Sequence, residues 1–341
     1  MISYLKKIKR TKFWYNIIDY IIYPIYHFIW CYIINLKAKV LYFFWSLKKK
    51  SFFPLNNNDK LLVGTTNEFK SISRKILEEM KPLMEDFKKV IYSKEYSEEL
   101  KKTNYASGEI PFRIDIYEKL SSSLQKEIVE FASSDKMITT ASNYLKVFPI
   151  LARIELYLNI PREKSELRGA MKWHKDNFGF KNLDFMMPVT GIDESNGSFY
   201  CLEKKIYAGV FKSFDFHFQK TGERNKISLE IFDQKFKNEK IIELKGESGT
   251  GIFLDTFSNY HRGGFCKEND RIMLRFCYQT HDAICHTFDF NEDFYPYDKS
   301  ITKENTNNIF KKFLYFKRPP FFLKIIKNKL LKFYYLIECK Y

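Results

Sequence analysis

Within Trp173-His174-Lys175-Asp176, an imidazole and a carboxylate stand two residues apart. In an extended segment, positions i and i+2 project to the same side, so His174 and Asp176 can grip one metal ion together. A third ligand has to come from another strand. His261 is placed to supply it, after Gly249-Thr250-Gly251-Ile252-Phe253-Leu254-Asp255 and a polar turn. Two histidines and one carboxylate leave three coordination positions open, the donor set of non-haem Fe(II) oxygenases. Structural zinc fits less well, because such sites are closed by four ligands rich in Cys. The cysteines (Cys31, Cys201, Cys266, Cys277, Cys285 and Cys339) form no CxxC pair. Their spacing suggests neither a zinc site nor a disulfide framework, and a reducing compartment is the default reading.

Ten residues beyond His261 begins Arg271-Ile272-Met273-Leu274-Arg275-Phe276-Cys277-Tyr278, in which Arg271, Met273, Arg275 and Cys277 share one strand face. A buried arginine needs an acidic partner. For Arg271 the preferred partner is a dicarboxylic cosubstrate, held by a bidentate guanidinium–carboxylate pair. For Arg275 it is Glu155 or another acid of the body. The other histidines carry plainer expectations: His217 packs in the aromatic segment Phe214–Phe218, and His281 and His286 satisfy local polar contacts. Trp173 is expected in the core.

In order and context these residues resemble the phytanoyl-CoA dioxygenase family of Fe(II)/2-oxoglutarate oxygenases. The resemblance is carried by a strand ending in Trp-His-x-Asp, then Leu183–Val189 with Asp193-Glu194-Ser195-Asn196-Gly197-Ser198-Phe199. It continues through Gly-x-Gly-x-Phe-x-Asp to His261-Arg262-Gly263 and the arginine opening the next strand. It covers about 140–282. It implies a double-stranded β-helix (jelly roll), iron on His174, Asp176 and His261, and Arg271 on the C5 carboxylate of 2-oxoglutarate. It also implies that Tyr157 and Asn159 stand where similar enzymes place polar contacts to the cosubstrate. The presence of Asp176 disfavours the halogenase variant, which vacates that ligand. After Gly197 the family usually shows Pro-Gly-Ser-His, where this chain has Tyr200-Cys201-Leu202-Glu203-Lys204-Lys205.

The elements that must position these groups form an α+β, mainly β body. A helical pattern follows Asn67 (Phe69, Ile72, Ile76, Met80, Phe87), and a second helix is expected over about 117–134. From about 144 the chain reads as strands. Arg153–Ile160 alternates strictly, with Arg153, Glu155, Tyr157 and Asn159 on one face. Further strands are expected at 168–174, 182–190, 197–202, 227–231, 240–244, 249–255 and 271–279. Many short strands after a helical N-terminal part suggest an antiparallel sandwich or barrel with helices on one side. No internal repeat, P-loop or dinucleotide fingerprint is present.

Charge is distributed unevenly over the 341 residues, which carry +16 in all. Residues 1–50 hold ten Lys/Arg and one acid, and 309–341 hold nine and one, which leaves 51–308 at −1. A nucleic-acid enzyme would carry basic residues across its working surface, so nucleic acid is not an expected partner. Abundant Phe and Tyr accompany abundant Lys, Ile and Asn, all from AT-rich codons, and carry no functional weight here. The segment 1–50 is apolar and aromatic between lysine clusters, with Asn16, Asp19, Tyr23 and His27 as a polar stripe and Pro24 against a straight span. An amphipathic segment in the membrane interface fits somewhat better than a span, and a terminal helix packed on the body is the alternative. In 309–341, Phe322, Ile326, Leu330, Phe333 and Ile337 repeat at helical spacing among lysines, another basic amphipathic helix.

The organisation read from the sequence is therefore a membrane-associating segment (1–50), an oxygenase domain (51–308) and a basic amphipathic C-terminal helix (309–341). The function expected is a dioxygenase using Fe(II), 2-oxoglutarate and O2. It would hydroxylate a lipid or lipid-linked glycan at an anionic membrane surface, on the cytoplasmic side. The rival is a membrane-anchored binding protein on a jelly-roll scaffold whose metal site is vestigial.

Overall fold

A computed structural model describes residues 23–48, 52–53, 62–95, 98, 113–161, 169–176, 181–203, 226–227, 229–280, 310 and 314. The basic cluster before residue 23, His217, His281, His286 and nearly all of 309–341 lie outside the described residues.

Two antiparallel sheets face each other. The larger has six strands: β1 (Leu62–Thr65), β2 (Ile114–Asp115), β3 (Ile150–Asn159), β5 (Asn182–Pro188), β9 (Thr250–Leu254) and β11 (Arg271–Gln279), in the order β1-β9-β5-β11-β3-β2. The smaller has β4 (Trp173–His174), β6 (Phe199–Leu202), β7 (Lys226–Ile227), β8 (Ile241–Leu244) and β10 (His261–Gly263), in the order β7-β4-β10-β6-β8. From β3 onward the chain crosses between the sheets at most connections, as a double-stranded β-helix requires. His174 and His261 sit on neighbouring strands of the smaller sheet, while Arg271 opens a central strand of the larger.

Five helices complete the described chain: α1 (Tyr23–Ser46), α2 (Asn67–Ile91), α3 (Ser122–Ala132), α4 (Asp135–Leu145) and α5 (Leu229–Phe236). Hydroxyl side chains cap three of them. Thr66 accepts from Phe69 N at 3.2 Å, Ser121 from Leu124 N at 3.3 Å and Ser134 from Met137 N at 3.4 Å. Each satisfies a backbone donor that a helix start leaves without a partner. Four helices pack on the outer face of the larger sheet. Phe69, Ile76, Leu124, Ile128 and Met137 meet Ile154, Leu156, Phe185 and Phe276 in one apolar cluster. The inner face supplies Met186, Ile252, Leu254 and Met273 against Phe199, Cys201 and Leu244 of the smaller sheet. With apolar residues buried on both of its faces, β3 is as hydrophobic as a strand between two layers must be, apart from its row of polar residues.

Several sequence expectations need correction. Helix exceeds strand among the described residues, so the body is mixed α/β rather than mainly β. The helix expected over 117–134 is a 3₁₀ turn at Tyr117–Lys119 followed by α3, and α4 occupies residues where strands were expected to begin. Serines at 121, 133 and 134 break and restart the backbone there. The strand expected at 227–231 is mostly α5, whose Phe232 and Phe236 cover the outer face of the smaller sheet beside Trp173. On a helix Phe232 and Phe236 stand one turn apart, with ring centroids at 4.9 Å, and cover one spot of the sheet; in a strand the same residues would be about 13 Å apart. The segment 168–174 is a 3₁₀ turn, Gly169–Met171, then the short β4.

The end of α1 joins the body. Ala38, Leu41 and Trp45 are buried, Trp45 Nε1 donates to Thr139 Oγ1 at 3.0 Å, and Phe148 N donates to Ala38 O at 3.0 Å. Pro24 falls in the first turn of α1, where its missing N–H costs nothing. No helix among the described residues is long and apolar enough to cross a membrane.

Candidate metal and cosubstrate site

β10 lies between β4 and β6, and His261 pairs directly across from His174. That register alone sets the two imidazoles side by side, with ring centroids 4.3 Å apart. Asp176 follows β4, and its backbone N–H is fastened to Thr256 O at 2.8 Å. Its Oδ1 lies 3.8 Å from His174 Nε2 and its Oδ2 lies 4.0 Å from His261 Nε2. One ligand atom from each of the three falls within 4.8 Å of the others. Both Nδ1 atoms are already committed, to Lys172 O at 2.8 Å and to Asn259 O at 3.1 Å. A carbonyl only accepts, so Nδ1 carries a proton in each ring and Nε2 is the atom turned toward Asp176.

Electrostatics suits a cation. Burial and the neighbouring His174 push His261 down to about 3, so its Nε2 is free of a proton at neutral pH. Burial alone would raise Asp176, but Arg275, His261 and His174 hold it well below the ordinary carboxylate range. The turn entering β10 is fixed by Asp255, whose carboxylate accepts from Phe257 N, Ser258 N and Tyr144 Oη at 3.1, 2.9 and 2.5 Å. Phe199 stacks near His261 (5.7 Å, 22°) and gives the site an apolar wall.

The two arginines of β11 have different surroundings. Arg275 is enclosed by acids: its Nη2 lies 2.6 Å from Asp176 Oδ2, its Nε 2.8 Å from Asp184 Oδ2 and its Nη1 3.5 Å from Glu155 Oε2. Arg271 is equally buried, yet among the described residues it makes no ion pair. Its Nε and Nη2 donate to Asn159 Oδ1 at 3.2 and 3.1 Å, and its Nη1 donates to Gly197 O. The β3–β11 register explains the division, since it pairs Arg271 with Asn159 and Arg275 with Glu155.

Gly263 locates the Arg271 head. A Cβ built there would lie 3.5 Å from Arg271 Nη2. Gly263 and His261 are alternate residues of β10, about 6.6 Å apart along the strand and on one face, so the guanidinium lies on the same side of the sheet as the imidazole. That separation suits a short dicarboxylate with one end at the metal and the other at Arg271. Asn159 thus orients the guanidinium. Tyr157, on the same face of β3, lies under the Arg113 guanidinium at 4.2 Å from its ring centroid. Trp173 is buried on the opposite face of the smaller sheet, stacked on Phe232 at 4.0 Å.

Asp184 and Arg113 were not singled out in the sequence, and Asp255 and Gly263 entered only as members of the motif, with no role of their own. The signal for Asp184 was a single acid inside the apolar run Leu183–Met187; Arg113 has none before strands are paired. Gly197 has a positive φ of 84°, and a Cβ there would fall 2.4 Å from Phe265 O. Gly197→Ala should cost about 2 kcal/mol or more from backbone strain and overlap. Chemical denaturation checks this; an unchanged midpoint would mean the loop can move away from Arg271.

No protein-family profile matches the sequence, and no curated protein matches it. Among solved structures, the chain is similar to SnoN, described as a non-heme alpha ketoglutarate dependent epimerase from nogalamycin biosynthesis. Identity is 14%, covering 49% of this chain and 61% of that one, with a TM-score of 0.35. AviO1 from Streptomyces viridochromogenes matches at 11% identity over 66% of this chain and 95% of that one (TM-score 0.39). EctD from S. alaskensis, with 2-oxoglutarate and 5-hydroxyectoine, matches at 14% over 64% and 70% (TM-score 0.39). The chain thus spans about three fifths of the SnoN structure. Likenesses of this size describe partly shared shape and assign no activity.

Proposed function

We propose that this chain is an Fe(II)/2-oxoglutarate-dependent oxygenase of the phytanoyl-CoA dioxygenase type, hydroxylating a substrate C–H bond. The observation that carries the reading is one constellation. Two imidazole Nε2 atoms and a carboxylate converge, and the head of Arg271, which has no ion-pair partner among the described residues, lies beside Gly263, two positions along β10 from His261. The donor set fits Fe(II) better than structural zinc, because three protein ligands leave room for exogenous ones. Fe(II) with 2-oxoglutarate and O2 supplies oxidative decarboxylation to succinate and CO2, coupled to oxidation of the substrate. His174, Asp176 and His261 hold the metal, and Arg271, steadied by Asn159 and Gly197 O, takes the C5 carboxylate. Phe199 and the inter-sheet apolar cluster exclude water from one side.

A lipid or lipid-linked substrate on the cytoplasmic side of an anionic membrane completes the proposal, supported by the basic, aromatic ends of the chain. Tethering there would raise the local concentration of such a substrate. A scaffold with a vestigial site is the rival, and the complete triad beside Arg271 speaks against it.

Anaerobic titration with Fe(II) and 2-oxoglutarate should raise a weak visible charge-transfer band; a flat spectrum would favour the rival. In the same titration, Arg271→Ala should weaken 2-oxoglutarate binding at least about tenfold, since a charge-assisted bidentate contact contributes ~1.5–3 kcal/mol. Gly263→Leu should do likewise by filling the space before the guanidinium. Unchanged binding in both variants would remove Arg271 from the cosubstrate site.

A further inference from the structure

α1 carries two opposed apolar stripes. Ala38, Leu41 and Trp45 face the body, whereas Leu36, Val40, Phe43, Phe44 and Leu47 are between 48% and 64% exposed. With Phe52 these make six of the twelve exposed large apolar side chains among the described residues, gathered in one short stretch. At about 100° per residue the four helical positions and Leu47, whose N–H still donates to Phe43 O, fall within a sector of about 100°, the width of a buried helix face. Lys37 and Lys39 lie on its two sides by the same geometry. From residue 23 to 48 the chain has no acid at all. A patch of this kind marks an interaction surface.

We propose that this outer stripe of α1 is a membrane-docking face that lies flat in the interface of an anionic bilayer, with the oxygenase body fixed beneath it. The partner is identified by chemistry. A continuous apolar stripe rimmed by lysines, on a helix without acids, matches acyl chains below anionic headgroups. Because Trp45 and Leu41 anchor the same helix in the core, docking would also set the orientation of the body, which a flexible tether would not. The inference deepens the membrane part of the proposed function and is independent of the metal site.

The test uses the full chain and vesicles of phosphatidylcholine with or without phosphatidylglycerol. Replacing Phe43, Phe44 and Leu47 together by Ser leaves the charge of the chain unchanged, so electrostatic attraction by the basic ends is held constant. The variant should partition onto anionic vesicles at least about tenfold more weakly. Val90→Ser with Tyr92→Ser, exposed at the C-terminal end of α2 and just beyond it, should bind as the wild type does. Wild-type partitioning by the stripe variant would overturn the proposal. So would a vesicle-free dimer that the variant dissolves, which would assign the stripe to a second copy. A lowered melting temperature with unchanged partitioning would also overturn it, because the chain itself would then cover the stripe. The Fe(II) and 2-oxoglutarate titration of the same variant should match the wild type, which separates failure here from failure of the oxygenase reading.

Discussion

Alanine at His174, Asp176 or His261 should leave a folded protein that binds Fe(II) at least about a hundredfold more weakly and no longer releases succinate from 2-oxoglutarate. Loss of a group that merely orients a ligand costs about 10–100-fold in metal affinity, and loss of the ligand itself costs more. The three substitutions should be near-equivalent in turnover, because two ligands cannot hold the ion in a geometry that keeps three positions open. Their structural consequences should differ. His174 and His261 each lose one hydrogen bond to a nearby carbonyl, whereas Asp176→Ala removes one of three acids around Arg275 and leaves Asp184 and Glu155 to balance it. Isothermal titration with Fe(II) under anaerobic conditions, alongside circular dichroism, reads both effects. Three folded variants that still made succinate at the wild-type rate would place the metal elsewhere.

Arg275→Met should have the largest effect on stability, about 3–5 kcal/mol at neutral pH, because it leaves Asp176, Asp184 and Glu155 together without their shared cation. The pH dependence distinguishes this cause from a packing defect. In the wild type, Asp176 is held low against burial by Arg275 and the two imidazoles. Glu155 is held low against burial by Arg275, Arg113 and Arg153. A carboxyl whose folded pKa lies below its unfolded value, about 4, contributes stability that is present above that pH and lost as pH falls through the folded value. Asp184 runs the other way, raised chiefly by burial, with Arg275 opposing and Asp176 adding to the shift. Without Arg275, Asp176 and Asp184 should rise above their unfolded values, and Glu155 should rise from its lowered one while Arg113 and Arg153 still oppose burial. Their repulsion would then be strongest at neutral pH and relieved by protonation toward pH 5 and below. Urea melts at pH 7.5 and pH 5 should therefore show the gap between variant and wild type narrowing in acid. A gap that stayed constant would show that the loss lies in packing.

The candidate metal ligands were legible in the sequence because they rest on local order. His174 and Asp176 are two residues apart on one extended segment, and Arg271 and Arg275 alternate on one strand face, so types and spacing could be read without knowing any partner. Most strands of the two sheets were legible for the same reason, since a buried strand writes its period into a few neighbouring residues. Where period and local breakers disagreed, the reading failed. The helix expected over 117–134 is a 3₁₀ turn and then α3, parted at Ser121, and α4 follows after Ser133 and Ser134. The strand expected at 227–231 is mostly α5, whose Phe232 and Phe236 cover Trp173.

The sequence favoured a cosubstrate for Arg271 and an acid for Arg275, but only tertiary structure surrounds one guanidinium with three acids and gives the other an amide and a backbone carbonyl as its described partners. The register of β11 against β3 does so, by setting Asn159 opposite Arg271 and Glu155 opposite Arg275. Contacts from other strands did the rest, bringing Asp184 and Asp176 to Arg275 and Gly263 to Arg271. The same holds for α1, whose composition marked it as apolar and basic. Only packing against Thr139 and Phe148 separated the stripe that belongs to the core from the one that faces outward. Sequence records which groups a chain carries and their local spacing; which charges neutralise one another depends on long-range pairing, because Coulomb and hydrogen-bond partners are chosen by distance in space.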